Sequence, residues 1–243
     1  MIANFPQSAH HTSFDFRLLE YYDTYMQRKL FVRGLIIVGI ISATLFYLLN
    51  AQFSPEQRYT LFFINKTLAE LAVLLIGISY LLGPLCKIIP LLGKHLYLRR
   101  YFGLFGFAAV VVHIITSLLQ WNGRFPLQWY LDHWIALATG IGATAIFLVL
   151  ALTSTQHSIM SLGGARWKTI QRAGYIALFF VLVHIALVAQ SRWQLWYAGK
   201  AALPNSLIVF SFGICIIIVR LVAFSADTRK KKKNISKSKS RIE

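Results

Sequence analysis

Six apolar runs, each about as long as a bilayer crossing requires, constrain this chain more than any other feature. They fall at residues 30–50, 61–82, 101–120, 133–152, 172–190 and 203–224, and each is rich in Leu, Ile, Val, Phe and Ala. A helix rises about 1.5 Å per residue, so a hydrocarbon core takes about 20 residues to cross. In lipid every backbone N–H and C=O must be satisfied within the chain, which leaves helices or a closed barrel. A barrel would alternate apolar and polar residues in segments of about ten, and these runs do not alternate. The expected fold is an all-α polytopic membrane bundle of six transmembrane helices. Only 14% of the 243 residues are charged, against about 25% in a soluble domain. The expected organisation is a cytoplasmic N-terminal segment at 1–29, a membrane domain at 30–225 and a disordered basic tail at 226–243. The first run follows a polar, aromatic stretch and is longer than a signal-peptide core, so it is expected to remain in the mature protein.

Charge supplies the orientation. Of the 25 Lys and Arg, 20 lie in the N-terminal flank, the second and fourth connections and the C-terminal end. The other side holds only Arg58, Lys66, Arg124, Arg192 and Lys200. Cytoplasmic loops carry the excess of Lys and Arg, so both termini are expected in the cytoplasm. The net charge of +17 is thereby explained by topology and by attraction of the tail to anionic lipid, and no nucleic-acid partner is expected. Trp121, Trp129, Tyr130, Trp134, Trp193, Trp196 and Tyr197 fall in the outward connections and read as interfacial anchors. Cys86 and Cys215 form no disulfide framework, CxxC site or iron–sulfur motif.

Chemistry concentrates on histidine. Of the seven, His10 and His11 precede the first run, His95 lies in a connection, and His133 and His157 sit near opposite ends of the fourth run. Only His113 and His184 fall well inside spans, where an ionisable side chain is a functional hypothesis by default. Both lie six or seven residues from the outward end of their run, roughly 9–10 Å deep at helical rise. Two imidazoles at one height on separate helices suit the axial positions of a heme b iron. Seven and ten residues before His113 stand Gly106 and Gly103; the same steps from His184 reach Ala177 and Gly174. These two stripes of small residues are expected to pack against a flat macrocycle, although small residues also promote direct helix packing. A second heme would need ligands thirteen or fourteen residues nearer the cytoplasm, where Arg99, Arg100, Ile170 and Gln171 stand, none a usual heme ligand. Glu70, four residues after Lys66, is either a proton relay or the partner of Lys66 across one helical turn, and the ion pair is the expected reading. Lys66 and Arg124 are candidate partners for the heme propionates, as are the Tyr and Trp side chains near the same edge.

The segments LRRYFGLFGFAAVVVHIITSLLQ and LALTSTQHSIMSLGGARWKTIQRAGYIALFFVLVHIAL, with NKTLAELAVLL as a weaker echo, resemble the ferric-reductase-like transmembrane family. Within it they are most similar to the heme-binding membrane subunits of bacterial periplasmic methionine-sulfoxide reductase systems. The resemblance implies an inner-membrane electron-transfer subunit that binds heme b, with FMN as a further associated cofactor. It implies quinone or a cytoplasmic flavin reductase as donor and a periplasmic redox protein as partner. His113 and His184 match two of the family's ligand positions. Gln171 stands where close relatives carry another histidine. The other classes left open are a metal or proton transporter using the intramembrane histidines, and a non-catalytic membrane anchor.

Overall fold

The computed structural model describes residues 12–121 and 123–239. Helices α1 (Thr12–Ala51), α2 (Pro55–Arg58) and α3 (Leu61–Ile88) are followed by a 3₁₀ turn (Pro90–His95). Then come α4 (Leu98–Leu118), α5 (Leu127–Asp132), α6 (Trp134–Leu152) and α7 (Gln156–Leu162). The chain closes with α8 (Gly164–Arg172), α9 (Gly174–Tyr197) and α10 (Asn205–Lys239). Six helical stretches among the described residues are long and apolar enough to cross a membrane, one for each apolar run. Side chains on their outer faces, such as Ile40, Leu48, Leu152 and Leu221, are more than half exposed. An all-α bundle that turns large apolar side chains outward is built for lipid.

The ends differ from the expected boundaries. Helix α9 runs seven residues past position 190, to Tyr197. Helix α10 continues to Lys239. No Gly or Pro interrupts residues 214–239, lysine is a good helix former, and the buried part of α10 supplies the costly helical nucleus. Likewise α1 begins at Thr12, so residues 12–29 extend the first span instead of forming a separate segment. His10, His11 and the last four residues lie outside the described residues.

Helix α3 is central. It packs on α4, α10 and α1, while α6 packs chiefly on α9. Half of its crossing stretch is buried, a larger share than in the other five. Its inner face interlocks with glycines on its neighbours: a Cβ on Gly106 of α4 would stand 2.6 Å from Ile76 Cγ1 and 3.0 Å from the Ile76 nitrogen. A Cβ on Gly174 of α9 would collide with the Tyr80 hydroxyl. The two histidine-bearing helices both touch α3, but α4 packs chiefly on α3 and α9 chiefly on α6, and a cavity is lined by all four.

Candidate functional site: a two-histidine cavity

His113 on α4 and His184 on α9 line one cavity of about 560 Å³. Each ring is fixed in the same way. His113 Nδ1 lies 3.2 Å from the backbone oxygen of Asn65 on α3, and His184 Nδ1 lies 2.8 Å from that of Ala136 on α6. A carbonyl oxygen only accepts, so both rings carry their proton on Nδ1 and keep the Nε2 lone pair free. Metal-binding histidines are oriented by this kind of outer partner.

Sequence position explains each partner. Asn65 sits one turn into α3 and is buried. Its amide nitrogen donates to Ser117 Oγ at 3.0 Å, and its Oδ1 lies 2.9 Å from Thr116 Oγ1. These side-chain contacts lock α3 to α4 at the level where the Asn65 carbonyl meets His113. Asn65 and Thr67 are both buried, Thr67 wholly so. On α6, a Cβ at Gly140 would stand 3.1 Å from His184 Nδ1 and 3.3 Å from Cε1. The absence of a side chain there lets the imidazole reach the Ala136 carbonyl one turn earlier.

The remaining walls are apolar, among them Ala72, Val73, Ile76, Ala143, Phe147 and Val181. The polar lining includes Arg124 and Arg192, with Lys66 and Glu70 from α3. Arg124 lies over the Phe62 ring at 4.4 Å. Phe125, Trp129 and Tyr130, in and beside α5, line the cavity too, and the Phe125 and Trp129 rings stand 4.8 Å apart. Burial raises the Tyr130 phenol above its ordinary value, and the protonated hydroxyl reaches the Ser117 carbonyl at 3.5 Å. Trp129 and Tyr130 therefore do more than anchor an interface, whereas Trp134 and Tyr197 are exposed as anchors should be.

The small residues expected under the heme are elsewhere. Gly103, Gly106, Gly174 and Ala177 do not line the cavity. Gly106 and Gly174 receive Ile76 and Tyr80 of α3, Gly103 faces Ser79 of α3, and Ala177 is enclosed in a cluster with Ile76, Tyr80 and Ile216. They are seats for helix packing. The small residues that do face the cavity include Ala69, Ala72, Ala136, Gly140 and Ala143 on α3 and α6, and Ala189 on α9.

Nearer the other end, Tyr80 reaches from α3 to Gly174 on α9, and Arg99 of α4 lies over its ring at 5.7 Å. Tyr175 packs on Tyr80 with ring centroids 4.9 Å apart. Gln171 turns toward the end of α6, its Nε2 3.4 Å from the Leu150 oxygen and 3.3 Å from Thr153 Oγ1. His133 is stacked on Trp129 at 4.5 Å; His95 and His157 are exposed.

No family model matches the chain. It is 33% identical over 131 residues to the magnetosome protein MamZ of Magnetospirillum gryphiswaldense, an alignment covering 52% of this chain and 20% of that one. It is 34% identical over 130 residues to the protein-methionine-sulfoxide reductase heme-binding subunit MsrQ of Azospira oryzae, covering 51% of this chain and 49% of that one. It is 23% identical over 255 residues to the human metalloreductase STEAP2, covering 84% of this chain and 51% of that one. The resemblance is to ferric-reductase-like membrane proteins as a family. The chain spans about a fifth to three-fifths of the length of these curated relatives and another MsrQ. The magnetosome and sulfoxide-reductase proteins match it about equally well, so the likeness is broader than the one subfamily the sequence motifs suggest.

Proposed function

We propose that this chain is a heme b electron-transfer subunit of an inner-membrane redox system. The observation that carries the reading is the pair of Nδ1-anchored histidines, supplied by separate helices to one apolar cavity. Two imidazoles are too few for a bare cation such as zinc, which takes three or four protein ligands, and among the described residues no group of three or more His, Cys, Asp or Glu converges. A heme brings its own equatorial nitrogens and asks the protein for axial ones. His113 and His184 would hold the iron through Nε2. The apolar walls would exclude water and hold down the local dielectric, while Lys66, Arg124 and Arg192 would face the propionates. When bound, the heme supplies a one-electron iron centre.

By likeness to the heme-binding MsrQ subunit, the acceptor is a periplasmic redox protein such as a methionine-sulfoxide reductase catalytic subunit. The donor is quinol or a cytoplasmic flavin protein. The cytoplasmic placement of both termini belongs to the same proposal, resting on the distribution of Lys and Arg.

Absorption spectroscopy tests the reading. Protein purified from heme-replete cells should show a Soret band and the sharp reduced-minus-oxidised bands of six-coordinate heme b. His113→Ala and His184→Ala should each abolish the six-coordinate spectrum while leaving the chain in the membrane. A colourless wild-type protein would sink the proposal and return the histidines to transport or helix packing.

A further inference from the structure

Glu70 is the one carboxylate lining the two-histidine cavity among the described residues. Its side chain is 5% exposed, and among the described residues no donor meets either oxygen at good hydrogen-bond geometry. Its ion pair is long: Lys66 Nζ stands 3.7 Å from Oε1, and that ammonium also lies over the Phe53 ring at 5.0 Å. A buried ion pair contributes to stability only when further hydrogen bonds satisfy the remaining lone pairs. Here they do not, although Asn65, five residues earlier on the same helix, uses both its side-chain polar atoms. Glu70 is placed and chemically equipped to gain a proton, and packing does not explain it.

The charged neighbours narrow the role. His113 faces the same cavity from α4, Arg124 from the segment after α4, and His184 and Arg192 from α9. The neutral amides of Asn205, at the start of α10, and of Gln52, in the turn after α1, also approach the Glu70 carboxylate. Arginine holds its charge throughout the accessible pH range, and both histidine rings are pinned by carbonyls. Of the cavity's side chains, Glu70 is the carboxylate able to gain a proton, and Lys66 Nζ stands 3.7 Å from it.

We infer that Glu70 is the proton acceptor coupled to electron uptake at the two-histidine cavity, an inference that rests on the heme reading above. An electron added inside an apolar cavity is poorly screened, and a nearby proton offsets it. One electron arrives from the quinol or flavin donor, one proton arrives from water, and one O–H bond forms at the Glu70 carboxylate. When the electron leaves for the acceptor protein, that bond breaks and the proton returns to water. Coupling of this kind is reciprocal: what reduction does to proton affinity, protonation does to electron affinity.

Spectroelectrochemical titration of the purified holoprotein at a series of pH values tests this. The wild-type midpoint potential should fall as pH rises, approaching about 59 mV for each tenfold change in proton activity. Glu70→Gln should flatten that slope and hold the potential near the acid limit of the wild type, and Glu70→Asp should restore a slope. A pH-independent wild-type potential overturns the inference, as does an unchanged slope in Glu70→Gln. If that variant does not fold, redox-difference infrared spectra of the wild type decide instead. Reduction should produce a carboxylic-acid C=O band that shifts in D₂O, and its absence overturns the inference. A heme spectrum with a pH-independent potential sinks only the role of Glu70, whereas no heme spectrum sinks the function itself.

Discussion

A ligand imidazole holds a metal tightly when its ring is already aimed, and on the proposed heme reading two residues other than the histidines do the aiming. Gly140 is the more demanding. Its absent side chain leaves room for His184, so Gly140→Val would drive branched carbons into the ring and break its bond to Ala136. Outer partners of metal ligands typically contribute about 10–100-fold in affinity. Gly140→Val is expected to weaken heme retention by at least that range, measured as heme loss to a scavenger protein. Asn65→Leu tests the other side. The backbone carbonyl that holds His113 would remain, but the side-chain contacts to Thr116 and Ser117 would go. Hydrogen bonds inside membrane proteins average about 0.6 kcal/mol and reach about 1.7, so a loss of about 1–2 kcal/mol is expected, read as a lower unfolding midpoint in a denaturing detergent. The histidine pair was legible in the sequence because an ionisable residue inside an apolar run stands out. Its positioning residues were not, because Gly140 and Ala136 look like ordinary small residues of an apolar helix until α9 is laid beside α6.

At the scale of elements, the six crossings were legible because lipid demands about 20 apolar residues from each. Their ends were not. Hydropathy marks where apolar character stops, while α9 and α10 continue as helix beyond it. The two small-residue stripes show a related limit: periodicity reveals that something comes close to a face without saying what. For Gly106 and Gly174 it is α3, through Ile76 and Tyr80. Gly106→Val should therefore act on packing. Overfilling a tight contact costs about 1–3 kcal/mol, and the nearest atoms include backbone, which cannot swing aside. A thermal unfolding assay should show this loss, while Gly93→Ala, at a glycine with open space around it, should unfold like the wild type. If Gly106→Val kept full stability but lost heme, the stripe would after all serve the cofactor.

On the heme reading, the question for the whole molecule is how many centres stand along the membrane normal. At the level where a second heme would need a ligand stands Gln171, which is not a usual heme ligand, and its side chain is turned toward Leu150 and Thr153 at the end of α6. The space beside it is also taken: Tyr80 crosses from α3 to α9, with Tyr175 packed on it and Arg99 over its ring. Restoring a histidine alone should not restore a heme. Gln171→His is expected to leave the ratio of heme to protein at one, measured by pyridine hemochrome against quantitative amino-acid analysis. A ratio rising toward two would show that the tyrosine pair yields easily and that the lower site persists in outline. If the ratio stays at one, a single centre near the α5 end must receive electrons across the width of the tyrosine–arginine cluster. That distance, roughly 20 Å along the helices from Gln171 to His184, would then make the reach of the donor into the bundle the step that limits transfer.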